Sequence, residues 1–296
     1  ILVKYSFIKF REITFMKLYF TKMQGIGNDY IYVDCITKDQ HVKDPSALSV
    51  RLSDRHFGVG SDGIIFIEPS ASADCKMDMY NADGSRGMMC GNGIRCVGKY
   101  AYDHGIVKKD VLTVETLSGI KALRLAVKDG KVSTVEVNMG KPILEPEKIP
   151  AKFPGSRAVN VPLSVGGRQL HVTCVSMGNP HCVLFTENTD DIPLWQIGPK
   201  FEKHQAFPQN VNTEFVKVIN RSEIKMRVWE RGSVETLACG TGTCAAAVAC
   251  ILNGKTERSV LAHLKGGDLN IRWDETSGDV FMTGPAEYSF DGSVEI

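Results

Sequence analysis

Two stretches of this 296-residue chain, MYNADGSRGMMCGNGIRC (79–96) and WERGSVETLACGTGTCAAA (229–247), follow the same order of residues. In each, an aromatic residue is followed by a polar residue, and nine positions later by a cysteine that begins Cys-Gly-x-Gly. The polar residue and the cysteine are Asn81 and Cys90 in the first stretch, and Glu230 and Cys239 in the second. The two cysteines are 149 positions apart. A series of residues repeated at one spacing predicts a duplicated domain.

Residues further upstream extend this repeat. Gly27-Asn28 matches Gly178-Asn179 at a separation of 151 positions. Between these residues and the cysteines, Asp62 and Asn212 lie at corresponding places in the two halves. Four matches in register indicate that each half of the chain has the same fold, so that the two cysteines are equivalent.

The local pattern predicts a sheet with one principal helix in each half. Short β-branched segments bounded by turn residues are typical of strands. They occupy 31–35, 63–67, 111–115, 132–137, 172–176, 183–185, 214–218, 225–229 and 287–296. Helices are predicted over 94–103 and 243–252, each opening just after a Cys-Gly-x-Gly loop and ending near a glycine. The predicted fold class is α/β (α+β), with two pseudo-symmetric domains, each a sheet or barrel around its helix, and an active site in the cleft between them.

Domain bounds follow from the linker and the ends of the repeat. The Pro- and Lys-rich segment 140–154 separates a domain predicted over 16–139 from one predicted over 140–284. We expect the last stretch, 285–296, to join the first domain. Residues 1–15 precede the first coherent strand pattern, and we interpret them as a non-native or upstream extension. Charged residues interrupt their apolar run, which argues against a signal peptide or a membrane span.

Composition excludes several classes of partner. The hydrophobic and charged fractions, 43% and 23%, are those of an ordinary globular protein. A formal net charge of +1 gives no reason to expect a nucleic acid or a membrane as partner. Nine cysteines, an odd number in a long chain, are better interpreted as free thiols than as a disulfide framework. A cytoplasmic location is therefore expected.

A cysteine placed just before a helix suggests acid–base chemistry. The N-terminus of a helix favours negative charge, so it can lower the pKa of a thiol, and its free N–H groups can bind a carboxylate. Two such loops facing each other can invert a tetrahedral carbon, because one thiolate removes a proton while the opposite thiol delivers one. Preorganised N–H donors would have to stabilise the carbanion.

Together with QGIGNDYIYVD (24–34), GVGSDG (58–63), SMGNPHCV (176–183) and NVNTEFV (210–216), the two stretches resemble the diaminopimelate epimerase family. The resemblance runs from Met16 to the C-terminus. It implies an isomerase that converts L,L-diaminopimelate to meso-diaminopimelate by two-base proton transfer at Cα, for lysine and peptidoglycan precursor synthesis. It also implies a homodimer with a small amino-acid substrate, no cofactor and no metal.

The resemblance also implies roles for individual residues. Cys90 and Cys239 match the catalytic cysteines, and His181 and Glu230 match residues that tune proton transfer at the thiols. The positions that match substrate contacts are Asn28, Asn81, Gly91, Asn92, Asn179, Asn212, Glu230, Arg231, Gly240 and Thr241. Val234 departs from the family pattern, which usually has glycine there, and this affects the loop just before Cys239.

Other chemistries fit parts of the sequence less well. Residues 58–63 (GVGSDG) match a dinucleotide fingerprint, but a strand pattern follows them where a helix is required. A zinc site built from Cys90, Cys96, Cys239 and Cys244 lacks the usual ligand spacing. A thiol–disulfide oxidoreductase normally has a resolving cysteine close by, and none is present here.

Two further hypotheses remain open from the sequence. A proline or hydroxyproline racemase, or a related isomerase on the same fold, would use the same pair of cysteines. Glu230-Arg231 and the asparagine cluster favour a longer substrate with a second amino-acid end. A non-enzymatic amino-acid-binding module is the other hypothesis, and the presence of both cysteines argues against it.

Overall fold

A computed structural model describes residues 16–296. Residues 1–15, interpreted above as an extension, lie outside the described residues. The first half contains β1 (Lys17–Gly25), β2 (Asn28–Asp34), α1 (Pro45–Ser53), β3 (Gly63–Glu68), β4 (Cys75–Asn81), β5 (Arg86–Gly87), α2 (Gly91–Asp103), β6 (Val111–Thr116), β7 (Gly119–Lys128) and β8 (Lys131–Gly140). A 3-10 turn (Pro146–Lys148) and β9 (Val161–Val165) follow.

The second half repeats this order of elements. It contains β10 (Arg168–Ser176), β11 (Pro180–Phe185), α3 (Leu194–Glu202), β12 (Asn212–Asn220), β13 (Glu223–Glu230), β14 (Val234–Glu235), α4 (Gly240–Leu252), β15 (Ser259–Leu264), β16 (Gly267–Trp273), β17 (Val280–Gly284) and β18 (Glu287–Glu295). In the part of the chain that the structure describes, no helix is both long and apolar enough to cross a membrane.

The strand pairings of the two halves are the same. β1 and β2 are antiparallel, β2 and β3 parallel, and β3 and β4 antiparallel, and β4 then pairs in parallel with β6. β10, β11, β12, β13 and β15 repeat these relations in the same order. Two antiparallel strands complete each series, β7 and β8 in one and β16 and β17 in the other. This topology confirms the predicted α+β class with two similar halves.

Two pairings link the halves. β8 is antiparallel to β17, which joins the two series of strands along one edge. β18 is antiparallel to β1, in the position that β9 holds against β10. β18 therefore completes the first half of the sheet although it is the last element of the chain. The domain bounds given above, 16–139 with 285–296 and 140–284, remain a prediction.

One buried helix lies at the centre of each half. Nearly all of α2 and α4 is buried, and Cys96 and Cys244 pack in the main hydrophobic core with strands of both halves. Both helices begin three residues earlier than predicted, at Gly91 and Gly240. The sequence pattern places these glycines in a Cys-Gly-x-Gly loop before each helix. They instead form the first helical turn, and the cysteine before them is the N-cap.

Two shorter helices were not predicted. α1 begins with a proline in its first turn, and the carboxylate of Asp44 caps it by accepting a hydrogen bond from the Ala47 N–H at 2.9 Å. α3 has no side-chain cap. The segment 58–63, which matches a dinucleotide fingerprint, leads directly into β3. A strand after the glycines lacks the helix N-terminus that would bind a pyrophosphate.

Candidate active site

The N-termini of the two central helices meet. Cys90 and Cys239 are the N-caps of α2 and α4, with extended backbone conformations. A Cβ atom built on Gly240 would lie 3.6 Å from the Cα of Gly91, and one on Gly91 would lie 2.9 Å from the Cε of Met282. The absence of side chains at these glycines lets the two helix ends approach closely. Cys90 and Cys239 each immediately precede one of these two glycines.

Polar groups of the first half surround the Cys90 sulfur. Its Sγ lies 3.1 Å from Asn28 Oδ1, and the Gly93 N–H donates to it at 3.3 Å. The Tyr30 hydroxyl also hydrogen-bonds to Cys90. The Asn28 amide nitrogen donates to Asp62 Oδ2 at 2.6 Å, which leaves its oxygen facing the sulfur. The first thiol thus has one amide oxygen and several donors around it.

Carboxylates lie around the Cys239 sulfur instead. Its Sγ is 3.6 Å from Thr241 Oγ1, and the backbone of Gly242 also hydrogen-bonds to it. The negative charge of Glu230 acts on the thiol from β13, and its carboxylate accepts a hydrogen bond from the Thr236 hydroxyl. The two thiols therefore occupy equivalent places in the fold but differ in their electrostatic surroundings.

Burial raises the pKa of both thiols. For Cys90, hydrogen bonds from backbone N–H groups such as that of Gly93 oppose this effect. For Cys239, the pKa is well above its ordinary value, first because of burial and then because of the negative charges of Glu230 and Glu214. The helix N-terminus, from which a lowered pKa is expected, favours the thiolate. Here the free-energy cost of removing water from a thiolate is larger than the stabilisation that the N–H donors provide.

His181 and Glu214 form a buried pair behind this site. His181 Nδ1 is 2.7 Å from Glu214 Oε1, and His181 Nε2 is 3.0 Å from Asn179 Oδ1. Neither side chain of the pair is exposed to solvent. Burial raises the pKa of Glu214, and the interaction with His181 opposes that increase. His181, a residue selected from sequence, is thus held by a carboxylate that was not selected.

Asn92 bridges the two halves near the thiols. Its amide nitrogen donates to the Ala238 carbonyl at 3.4 Å, one residue before Cys239. Its oxygen accepts from the buried guanidinium of Arg95 at 2.8 Å. Both ends of this amide are engaged within the protein. The side chain of Asn92 therefore aligns the two loops.

The remaining predicted side chains form hydrogen bonds with other groups of the protein. The buried amide of Asn212 donates to the Pro180 carbonyl at 3.1 Å and accepts from the Arg231 N–H at 2.9 Å. The exposed guanidinium of Arg231 donates to the Gln209 carbonyl at 2.9 Å. Asn81 donates to Ser85 Oγ at 2.9 Å. None of these hydrogen bonds reaches a thiol.

Three residues around the thiols were missed as site residues, namely Tyr30, Glu214 and Arg95. Glu214 lies two positions after Asn212 on β12 and so points to the same face of the sheet. That alternation was available in the sequence. Across residues 16–296 there is no group of three or more Cys, His, Asp and Glu side chains arranged to hold a metal ion.

Val234 has a left-handed backbone conformation of the kind that glycine adopts most readily. Its φ is +58°, in the left-handed region that a β-branched residue rarely adopts. Its side chain is 55% exposed, so truncation loses little buried surface. We expect Val234→Gly to raise the free energy of unfolding by about 1 kcal/mol. Urea denaturation would measure the change.

Asn160→Gly is the matched control for that substitution. Asn160 has a φ of +53°, but asparagine tolerates this region, so the same change should gain less. A gain at Val234 no larger than that at Asn160 would contradict the assignment of backbone strain to Val234.

Comparisons with known proteins identify relatives over nearly the whole chain. The sequence model described as diaminopimelate epimerase matches residues 20–145 and 173–289. A diaminopimelate epimerase of Acetivibrio thermocellus is 54% identical over 277 residues, which are 94% of this chain and 98% of that protein. One from Agathobacter rectalis is 54% identical over 284 residues, covering 94% and 99%.

Solved structures share the fold at much lower identity. A Bacillus anthracis phenazine biosynthesis protein of the PhzF family has a TM-score of 0.67 at 15% identity, over 95% of this chain and 100% of that one. A hydroxyproline epimerase from Agrobacterium vitis has a TM-score of 0.66 at 12% identity, over 95% and 92%. At these identities the likeness concerns the fold alone.

Proposed function

The chain belongs to the diaminopimelate epimerase family, and from this membership we propose that it converts L,L-diaminopimelate to meso-diaminopimelate. It is an isomerase that inverts one α-carbon of its substrate. The observation that supports this function most directly is the meeting of Cys90 and Cys239 at the adjoining N-termini of α2 and α4.

In the proposed reaction one sulfur is a thiolate and the other a thiol. The thiolate takes the α-proton from one face of the carbon, and the opposite thiol gives its proton to the other face. The substrate keeps its number of hydrogens, and the enzyme ends with the proton on the other sulfur. No electrons are transferred, so the proposed reaction needs no oxidant.

The carbanion formed between these steps needs stabilisation. The first turns of α2 and α4 adjoin, so their free backbone N–H groups and helix dipoles both add positive potential where the two helix ends meet. We propose that Gly91, Asn92, Gly240 and Thr241 hold the carboxylate and the ammonium group at the reacting end. Burial strengthens these interactions because competing water is excluded.

Polar side chains around the thiols support the remaining assignments. Asn28 and Glu230 border the two sulfurs and are proposed to act at the reacting end. For the second amino-acid end we propose Asn81, Asn179, Asn212 and Arg231. Amide groups suit this task because each has both a donor and an acceptor. His181 and Glu230 are proposed to tune proton transfer.

Membership of the family suggests three further properties: the oligomeric state, the location and the metabolic role of the enzyme. We propose that the enzyme is a homodimer, that it works in the cytoplasm, and that its product feeds lysine and peptidoglycan precursor synthesis. Analytical ultracentrifugation of the purified protein tests the first of these statements.

Exchange of the α-proton in D₂O tests the activity. Incubation with L,L-diaminopimelate under reducing conditions should remove the α-proton NMR signal and produce the meso isomer. Reducing conditions matter because both thiols must be free. Persistence of the signal at high enzyme concentration would exclude this function. Proline in the same assay distinguishes a proline racemase, which would exchange proline and leave diaminopimelate unchanged.

A further inference from the structure

Glu214 is a buried carboxylate next to the second thiol. One of its oxygens, Oε1, lies 2.7 Å from His181 Nδ1, and the other has no hydrogen-bond partner among the described residues. A Cβ atom built on Gly242 would lie 2.6 Å from Oε1 and 3.2 Å from the sulfur of Cys239. The carboxylate and the sulfur thus flank one glycine. A carboxylate in such a place is costly to bury.

The first half of the protein shows that the fold does not need a carboxylate there. Gly93 is the counterpart of Gly242, and a Cβ atom built on it would lie 2.7 Å from Ile65 Cδ1. Ile65 on β3 and Glu214 on β12 are 149 positions apart, the same separation as the two cysteines. An apolar side chain therefore fills this position in one half. The carboxylate in the other half therefore has a role other than packing.

The ring of His181 lies between two oxygen atoms. Oε1 of Glu214 faces Nδ1, and Oδ1 of Asn179 faces Nε2 at 3.0 Å. A hydrogen bond from Nε2 to an amide oxygen requires a proton on Nε2. The 2.7 Å contact between Nδ1 and Oε1 needs a second proton, and an ionised carboxylate accepts it as a hydrogen bond from Nδ1–H. This arrangement makes Nε2 a hydrogen-bond donor.

We propose that Glu214 is a positioning residue that acts through His181. Its carboxylate accepts a hydrogen bond from Nδ1 and so holds the ring with a proton on each nitrogen, which lets His181 offer the Nε2–H as a donor to the site during epimerisation. The other charged group near Cys239 is Glu230, on the neighbouring strand β13. Glu230 is not hydrogen-bonded to the ring, so Glu214 is the carboxylate that fixes its protonation. The kinetic part of this proposal rests on the proposed function.

Two substitutions of Glu214 separate positioning from packing. Glu214→Gln keeps the shape and removes the charge, and Glu214→Ile copies the side chain of the first half. Because a wrongly protonated histidine is a poor partner in proton transfer, we expect both to lower kcat by about a hundredfold while KM changes little. Glu214→Ile should remain folded. Wild-type kcat in either variant would overturn the proposal.

Asp34→Asn is the matched control. Asp34 is also a buried carboxylate, but it caps backbone N–H groups of Ile36 and Thr37, at 2.8 and 2.9 Å, away from the thiols. Its replacement should lower thermal stability and leave kcat unchanged. A loss of kcat equal to that of Glu214→Gln would show a general effect of neutralising buried carboxylates and would overturn the proposal.

A double variant tests whether Glu214 acts through the ring. If it does, the combination of His181→Asn with Glu214→Gln should be no slower than His181→Asn alone, because the partner of the carboxylate is already gone. Losses that multiply would show two independent roles and would contradict the proposal.

Nitrogen NMR of histidine-labelled protein tests the proton directly. The chain has seven histidines, and the resonances lost in His181→Asn assign the ring of interest. We expect the Nε2 shift of His181 to be that of a protonated nitrogen, and to change in Glu214→Gln. An unprotonated Nε2 in the unaltered protein would overturn the proposal. This measurement needs no turnover, so it is informative even if α-proton exchange fails.

Discussion

Replacing either Cys90 or Cys239 with serine is expected to lower the rate of epimerisation by about 10³-fold or more. A serine hydroxyl is a much weaker acid than a thiol, so it neither ionises nor gives up its proton readily at neutral pH. The helix N-termini and their N–H groups remain, so the variants should still bind substrate. Conversion of L,L- to meso-diaminopimelate by chiral chromatography measures the rate, and calorimetry measures binding.

Cys35→Ser is the matched control for these variants. Cys35 is half-buried just after β2, and its thiol donates to the Val33 carbonyl at 3.9 Å rather than to any group of the proposed site. The same change of sulfur to oxygen there should leave activity intact. Full activity of either Cys90→Ser or Cys239→Ser would refute a mechanism with two bases.

Gly266→Ala is expected to lower the free energy of unfolding by about 3 kcal/mol, and activity with it. A Cβ atom on Gly266 would lie 1.9 Å from the Ile26 carbonyl oxygen, a backbone atom that cannot move alone. The N–H of Gly266 also donates to the Leu237 carbonyl at 3.0 Å. Ile26 is two positions before Asn28, and Leu237 is two positions before Cys239. The added methyl group should therefore displace both active-site loops.

Urea denaturation and the epimerisation assay together measure this effect. Gly119→Ala is the control, since Gly119 has a φ of +98° and nothing within 4 Å of an added Cβ. That variant should lose about 1 kcal/mol of unfolding free energy, because alanine is strained in a left-handed backbone conformation, and it should keep its activity. If Gly266→Ala were no less stable than Gly119→Ala, the close contact would be irrelevant to stability.

The duplication could be predicted from the sequence because each repeated motif is a short, continuous stretch of the chain. Cys-Gly-x-Gly and the polar residue nine positions upstream can be recognised without knowing what either contacts. The same local patterns predict starts of α2 and α4 that are three residues too late. A glycine before a helix and a glycine in its first turn look alike in sequence, and only the packing of Gly91 against Gly240 distinguishes them.

The alternation along β12 places Glu214 on the same face as Asn212, but its contact with His181 could not be predicted from local sequence. The two residues are 33 positions apart and meet because β11 and β12 are parallel, with His181 opposite Asn212. The register of two parallel strands depends on the segment that connects them. Here that segment contains α3, a helix that was not predicted. The raised pKa values of the thiols were missed for a similar reason. Burial is a property of the assembled fold.

The late position of β18 affects how the protein is made. The first half cannot close its sheet on β1 until the second half has been synthesised, because β18 follows β17 in the chain. The two halves therefore cannot fold independently during translation. Many other domains fold one after the other as they leave the ribosome. The site with its two thiols can form only after the second half, which carries Cys239, has been synthesised. A chain that stops before β18 leaves β1 with an open edge, which favours aggregation.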